Sequence, residues 1–463
     1  MKRLQVRFAV VGLLLSLLLA TTVLTPAGAQ PFRDGRRPSV GQRIAYIDAS
    51  GPDFPARQPE LLRMLDAKDV PGMRRHVWNA WAAMTQPTPS GFPRFLTWYQ
   101  VSETFGASDT LPAQRRFAPE FRIPSQKNIG SGDAILSFNL YNDSFRYHLR
   151  RNGYQSKKKL VAMAKTLTDV VEFPNDSISV KTVWWPVRRD GLTAFPVWDD
   201  TPTRPIEWGR GDKALVDSGF FKDLSPEQLQ EMKTHEEEGN DFEAFGRVVA
   251  IDPRRTHVPQ GETAELTFFD PGDARMQRII TRTAKVAPMS RMFTVQVNDQ
   301  KMVDWINNLP LADELTTRMW GRKFQAGDYV ALVAVHISTR EIPDWVWATF
   351  YWHDQPDQPP LGNDRIAAVP GVFRDYKMHS VFHAELPKEA DGHNAIAFNP
   401  YLEAAFAYGP RSNCSACHQR AVMTADGPGA VFPVRLGHLE KDDPFYKGKL
   451  RLDTSWSLAY ETK

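Results

Sequence analysis

The run Asp328–Asp354, DYVALVAVHISTREIPDWVWATFYWHD, decides the fold. Two stretches of β-branched, aromatic and small apolar residues flank a turn at Arg340–Pro343, the pattern of a strand pair. In the second stretch Trp345, Trp347, Thr349 and Tyr351 alternate with Val346, Ala348, Phe350 and Trp352. Both sets are largely apolar, so neither face can lie against water, and the strands belong inside a core covered on both sides.

Outward from this pair, SISVKTVWWPV (177–187) reads as a strand with Ile178, Val180, Thr182 and Trp184 on one face and Val183 and Trp185 on the other. LTAFPVW (192–198) is a candidate partner for it, and FGRVVAID (245–252) is again strand-like. Helices are predicted over Pro71–Gln86, with proline at the first position, over Asp133–Arg151, and over Ser156–Val170. A fourth, at 225–239, opens with Ser225, Pro226 and Gln228 as a capping box. With 13 Trp and 35 Pro in 463 residues, irregular, strand-rich architecture is favoured over a helical bundle. The expected fold is α+β: a twisted antiparallel sheet core with peripheral helices and a C-terminal attachment segment, divided as a body over 30–390 and a segment over 391–463.

Residues 1–29 read as a signal peptide. Lys2, Arg3 and Arg7 precede an apolar run from Phe8 to Leu24, and Ala27 and Ala29 form an A-x-A cleavage pattern. Removal takes three basic residues and no acidic ones, leaving 57 − 3 = 54 Lys+Arg against 54 Asp+Glu. A balanced chain gives no electrostatic reason to bind nucleic acid. The expected location is the periplasm, with no membrane span after signal removal, and Lys157–Lys159 reads as a solvated helix face.

The chemistry concentrates in RSNCSACHQRAV (411–422), which holds the two cysteines of the chain, Cys414 and Cys417, followed by His418. C-x-x-C-H is the attachment pattern of c-type haem. Two thiols one helical turn apart add across the porphyrin vinyl groups, and the adjacent imidazole becomes the axial iron ligand. Zinc needs further ligands, for which the sequence offers no other cysteine and only the His379/His383 pair at helical spacing. A thioredoxin-like pair would follow a strand in a βαβ unit, a context absent upstream of Cys414. Covalent haem c with its iron is therefore the expected cofactor. Met423 lies too close to His418 to serve the opposite haem face and reads as core packing. Sixth-ligand candidates are His438, Met378, His379, His383 and His393, with His336 and His353 flanking the apolar hairpin.

The segments GDYVALVAVHISTREIPDWVWATFYWHD, AIAFNPYLEAAF and SNCSACHQRAV together resemble a functionally uncharacterised group of large bacterial periplasmic cytochrome c family proteins. These share a W-V-W-[AS]-T-F strand core, an N-x-Y segment and a single C-terminal C-x-x-C-H. Members of the group often carry FEHVDN where this chain has FYWHDQ (350–355). The resemblance implies a periplasmic haem protein without naming a substrate. Two roles follow from the haem. One is electron transfer to or from a periplasmic redox partner protein, which needs a saturated iron. The other is a haem-dependent oxidoreductase or gas sensor, with an open sixth position for a small molecule such as a peroxide, a nitrogen oxide or an aromatic compound. No acid–base constellation stands out; Asp344, Asp354 and Asp364 lie near the tryptophan strand as loop carboxylates.

Overall fold

The computed structural model describes residues 37–46, 58–108, 110–111, 115–121, 136–198, 247–269, 279–359, 361–388, 395, 397–403, 413–429 and 438–463. A short ribbon pairs β1 (Arg43–Ile44) with β3 (Arg115–Arg116). The principal sheet has seven strands: β2 (Tyr99–Gln100), β4 (Leu136–Tyr141), β5 (Ile178–Val187), β10 (Thr294–Gln296), β11 (Tyr329–Thr339), β12 (Val346–Trp352) and β13 (Tyr376–Val381). Their order is β13-β12-β11-β5-β4-β2, with β10 also paired to β11, and every pairing is antiparallel. A second sheet, ordered β6-β7-β9-β8, contains β6 (Thr193–Val197), β7 (Arg247–Asp252), β8 (Thr263–Phe269) and β9 (Ile279–Pro288). A third, small sheet joins β14 (Val422–Thr424) to β15 (Gly427–Pro428) and β16 (Leu450–Arg451). With helices around these sheets, the chain is an α+β protein.

The two faces of the principal sheet are buried for different ends. Val346, Ala348, Phe350 and Trp352 look into the large core, where the helix Val70–Met84 brings Trp81 onto Phe350 at 4.1 Å and 10°. That helix starts where its sequence dictates: Asp69 accepts from the Gly72 amide at 2.9 Å, and proline stands in the first turn. On the other face Trp347 joins a second cluster with Tyr141, Phe145, Cys414, Met423 and Leu458. The C-terminal segment therefore covers this face, anchored by Tyr141 Oη to Ser457 Oγ (2.9 Å) and Asn139 Nδ2 to Glu461 Oε1 (3.2 Å).

One polar line crosses that second face. The register sets Asn139, Lys181, His336, Thr349 and His379 side by side on β4, β5, β11, β12 and β13. Thr349 is fully buried and the other four are half-buried, so on a sheet covered on both faces each needs a partner, a ligand or access to water.

Several local expectations are corrected. Within Asp133–Arg151 the helix begins only at Asp143; Leu136, Phe138 and Leu140 instead alternate with Ser137, Asn139 and Tyr141 as strand β4. Asn142 marks the change, its Oδ1 accepting from the Phe145 amide at 3.1 Å. The helix predicted over Ser156–Val170 stops at Met163. LTAFPVW pairs with β7 and not with β5, both of whose edges are already taken by β4 and β11. The second sheet also includes one parallel pair, β7 with β9. The helix predicted at 225–239 lies outside the described residues. Lys157–Lys159 is exposed, as expected of a solvated helix face. No helix among the described residues is long and apolar enough to cross a membrane.

Candidate functional site

Cys414–His418 forms a single helical turn whose entry is fixed by Asn413. The buried Asn413 Oδ1 accepts from the Ala416 amide at 2.9 Å, while Nδ2 donates to the carbonyls of Ala384 (2.9 Å) and Ala395 (3.1 Å). One side chain thus caps the turn and ties it to two other segments. Both cysteines are free thiols. Burial pushes the Cys414 thiol well above its ordinary range and the Cys417 thiol up to about 11, so both are protonated at neutral pH.

His418 Nδ1 lies 2.9 Å from the Thr454 carbonyl oxygen. A carbonyl only accepts, so Nδ1 carries the proton and Nε2 the lone pair. Nε2 has no hydrogen-bond partner among the described residues. Burial lowers the imidazole to about pKa 4, against a smaller opposing effect of the Thr454 carbonyl, and keeps the ring neutral. Trp347 packs on it with ring centroids 4.1 Å apart and planes at 39°.

The Thr454 carbonyl is aimed by unusual backbone. Asp453 (φ 46°) and Thr454 (φ 62°) both occupy the left-handed region, which disfavours side chains other than glycine. The Asp453 carboxylate holds this turn, accepting from the Phe173 amide (2.7 Å), Arg340 Nε (3.1 Å) and Trp345 Nε1 (3.3 Å). Arg340 is buried and reaches Glu172 as well, at 2.7 Å. Trp345 is itself left-handed (φ 61°), and Trp347 Nε1 donates to the Asp344 carbonyl at 2.8 Å. The strained residues therefore converge on the support of His418 and Trp347.

Two further groups border the cysteines. Glu403 Oε2 accepts from the Asn399 amide at 2.6 Å, and burial raises its carboxyl to about 8, so the group is neutral at physiological pH. His336 Nδ1 lies 3.9 Å from Glu403 Oε1, and His336 Nε2 is buried without a hydrogen-bond partner among the described residues. Donor atoms of His336, Glu403 and Cys414 all lie within 4.8 Å of one another. The N-x-Y segment locks this corner: Asn399 Nδ2 donates to Thr349 Oγ1 at 2.7 Å and Tyr401 Oη to the Pro196 carbonyl at 2.6 Å.

The other sequence candidates are elsewhere. Met378 points to the opposite face of the sheet, into the large core. His379 shares the polar row and packs between Trp198 (5.5 Å) and Tyr351 (6.1 Å). His383 and His438 stack on each other at 4.2 Å beside Asp344. His353 Nε2 contacts the Trp198 carbonyl (3.2 Å) and Arg247 (3.1 Å). His393 lies outside the described residues. Met423 is fully buried in the second cluster. Asp344, Asp354 and Asp364 do not converge: they face His383, Arg247 and Arg74 respectively. Sequence reading did not single out Glu403, Lys181, Asp453 or Thr454; only the placement of Glu403 just after the N-x-Y segment could have drawn attention to one of them.

The donor set suits a c-type haem. Two free thiols stand one helical turn apart, and the next residue is a neutral imidazole with one nitrogen anchored and the other making no hydrogen bond among the described residues. Comparison with known family models, curated proteins and solved structures returns no match.

Proposed function

We propose that this chain is a periplasmic c-type haem protein that transfers single electrons to or from a redox partner protein. In this reading Cys414 and Cys417 hold the haem covalently and His418 is its axial ligand. The observation that carries it is the preparation of His418. The ring is half-buried and neutral, its Nδ1–H is committed to the Thr454 carbonyl at 2.9 Å, and Nε2 makes no hydrogen bond among the described residues. Metal-bound histidines are held in this way, with the second nitrogen donating to a carbonyl or carboxylate that fixes ring and tautomer. Bound haem would supply one-electron iron chemistry. The protein's own residues then have defined tasks: Asn413 fixes the helical turn, Thr454 orients the imidazole, and Trp347 covers it from water. The periplasmic location rests on the signal-like residues 1–29 and agrees with haem attachment outside the cytoplasm.

An oxidoreductase or gas-sensing role would need an open sixth position, and His336 beside Cys414, its Nε2 buried without a partner among the described residues, weighs against it. The test is expression in a host able to attach c-type haem, followed by haem staining of denatured protein. The wild type is expected to stain and the Cys414→Ala/Cys417→Ala variant to lose the stain. A stain that survives in the double variant overturns the proposal.

A further inference from the structure

We infer that His336, on strand β11, supplies the second axial ligand to the haem iron. The inference rests on the haem reading of Cys414–His418 and extends it from five ligating groups to six.

Three observations point to this residue. First, His336 Nε2 is buried and makes no hydrogen bond among the described residues. Buried ring nitrogens without partners are uncommon and call for an absent ligand or a functional role. Second, the ring stands beside another donor group without being tied to it: Nδ1 lies 3.9 Å from Glu403 Oε1, beyond hydrogen-bond reach. Third, its place is right. His336 sits in the polar row on the sheet face covered by the haem motif, with a donor atom within 4.8 Å of Cys414 Sγ. Trp347, on the same face and on the neighbouring strand, carries His418 at 4.1 Å.

The remaining described side chains compete poorly. Met378 faces away, and His383 and His438 are occupied with each other and with Asp344. His76 is bound to Glu341 at 3.0 Å and His148 to the Val171 carbonyl at 3.0 Å. His379 shares the row but packs against Trp198 (5.5 Å) and Tyr351 (6.1 Å), and it does not join the His336–Glu403–Cys414 group of donor atoms.

The test reads ligation directly on purified haem-loaded protein, as optical spectra in the oxidised, reduced and carbon monoxide-treated states, together with the near-infrared charge-transfer band of the ferric form. The wild type is expected to be low-spin with a bis-histidine band and to ignore carbon monoxide. His336→Ala is expected to become high-spin and to bind the gas, with added imidazole restoring the low-spin spectrum. His336→Met, which keeps the side-chain volume, is expected to exchange the bis-histidine band for a histidine–methionine band. His379→Ala is expected to leave the spectrum unchanged. A high-spin wild type overturns the inference, as does a bis-histidine band that persists in His336→Met or vanishes in His379→Ala. If His336→Ala fails to fold, the methionine variant alone decides. Absence of covalent haem from the wild type would refute the proposed function itself, a result distinct from all of these.

Discussion

Asn413 is small, buried and answerable for the position of the whole Cys414–His418 turn. Replacing it by alanine removes the cap on Ala416 and the donors to the Ala384 and Ala395 carbonyls together. A lost N-cap costs about 1 kcal/mol. Each buried carbonyl deprived of its donor costs about 1 kcal/mol or more. The total, about 3 kcal/mol, corresponds to about a hundredfold in an equilibrium at about 1.4 kcal/mol per factor of ten. A chain this long need not unfold in two states, so the quantity to measure is the local opening of the turn. Hydrogen exchange followed by mass spectrometry over peptides spanning 413–420 reads it, with wild type and variant compared at equal haem loading. Exchange there is expected to be about a hundredfold faster in Asn413→Ala, with peptides from β11 unaffected. Asn413→Ser keeps an acceptor for the cap without the two donors and should fall between. Asn413→Asp should do no better than alanine, because it sets a carboxylate oxygen against two carbonyls. A change below about fivefold in Asn413→Ala, roughly 1 kcal/mol, would refute the reasoning.

Two further predictions concern the supports of the site. Glu403 ionises near 4.5 when unfolded but holds its proton to about 8 in the fold, so it does not affect stability below pH 4.5 and destabilises increasingly as pH rises toward 8. Glu403→Gln should therefore raise the unfolding temperature more at pH 8 than at pH 5, the gain at pH 8 being at most about 5 kcal/mol; equal shifts at the two pH values would contradict the burial of a neutral carboxyl. Asp453→Ala leaves the Phe173 amide, Arg340 Nε and Trp345 Nε1 without their acceptor. Breaking such a buried pair costs about 3 kcal/mol or more, seen as a fall of several degrees in the thermal transition followed by tryptophan fluorescence; an unchanged transition would show that another group holds the Asp453–Thr454 turn.

The central hairpin was legible because its alternation left no polar face. The sequence assigned Trp345 and Trp347 to one side and Val346, Ala348, Phe350 and Trp352 to the other, as the two clusters have it. Strand β4 was hidden because its polar residues Ser137 and Asn139 face the covered side of the sheet and a true helix follows at once, blurring the two periods. The partner of β6 depends on which edges of β5 are free, a property of the assembled sheet alone. Met378 and His379 are neighbours in sequence yet face opposite sides, so register decides which of them can approach the Cys414–His418 turn. Glu403 looks like an ordinary helix-face residue until its burial is known, and the partner of His418 is a backbone carbonyl that no residue type announces.

The most direct test of the central claim is the intact mass of wild-type protein purified from the periplasm of a host that attaches c-type haem, taken under denaturing conditions alongside its metal content. The account predicts the mass of the chain plus one haem and one equivalent of iron. A chain of unmodified mass, with zinc or no metal at Cys414, Glu403 and His336, would contradict it.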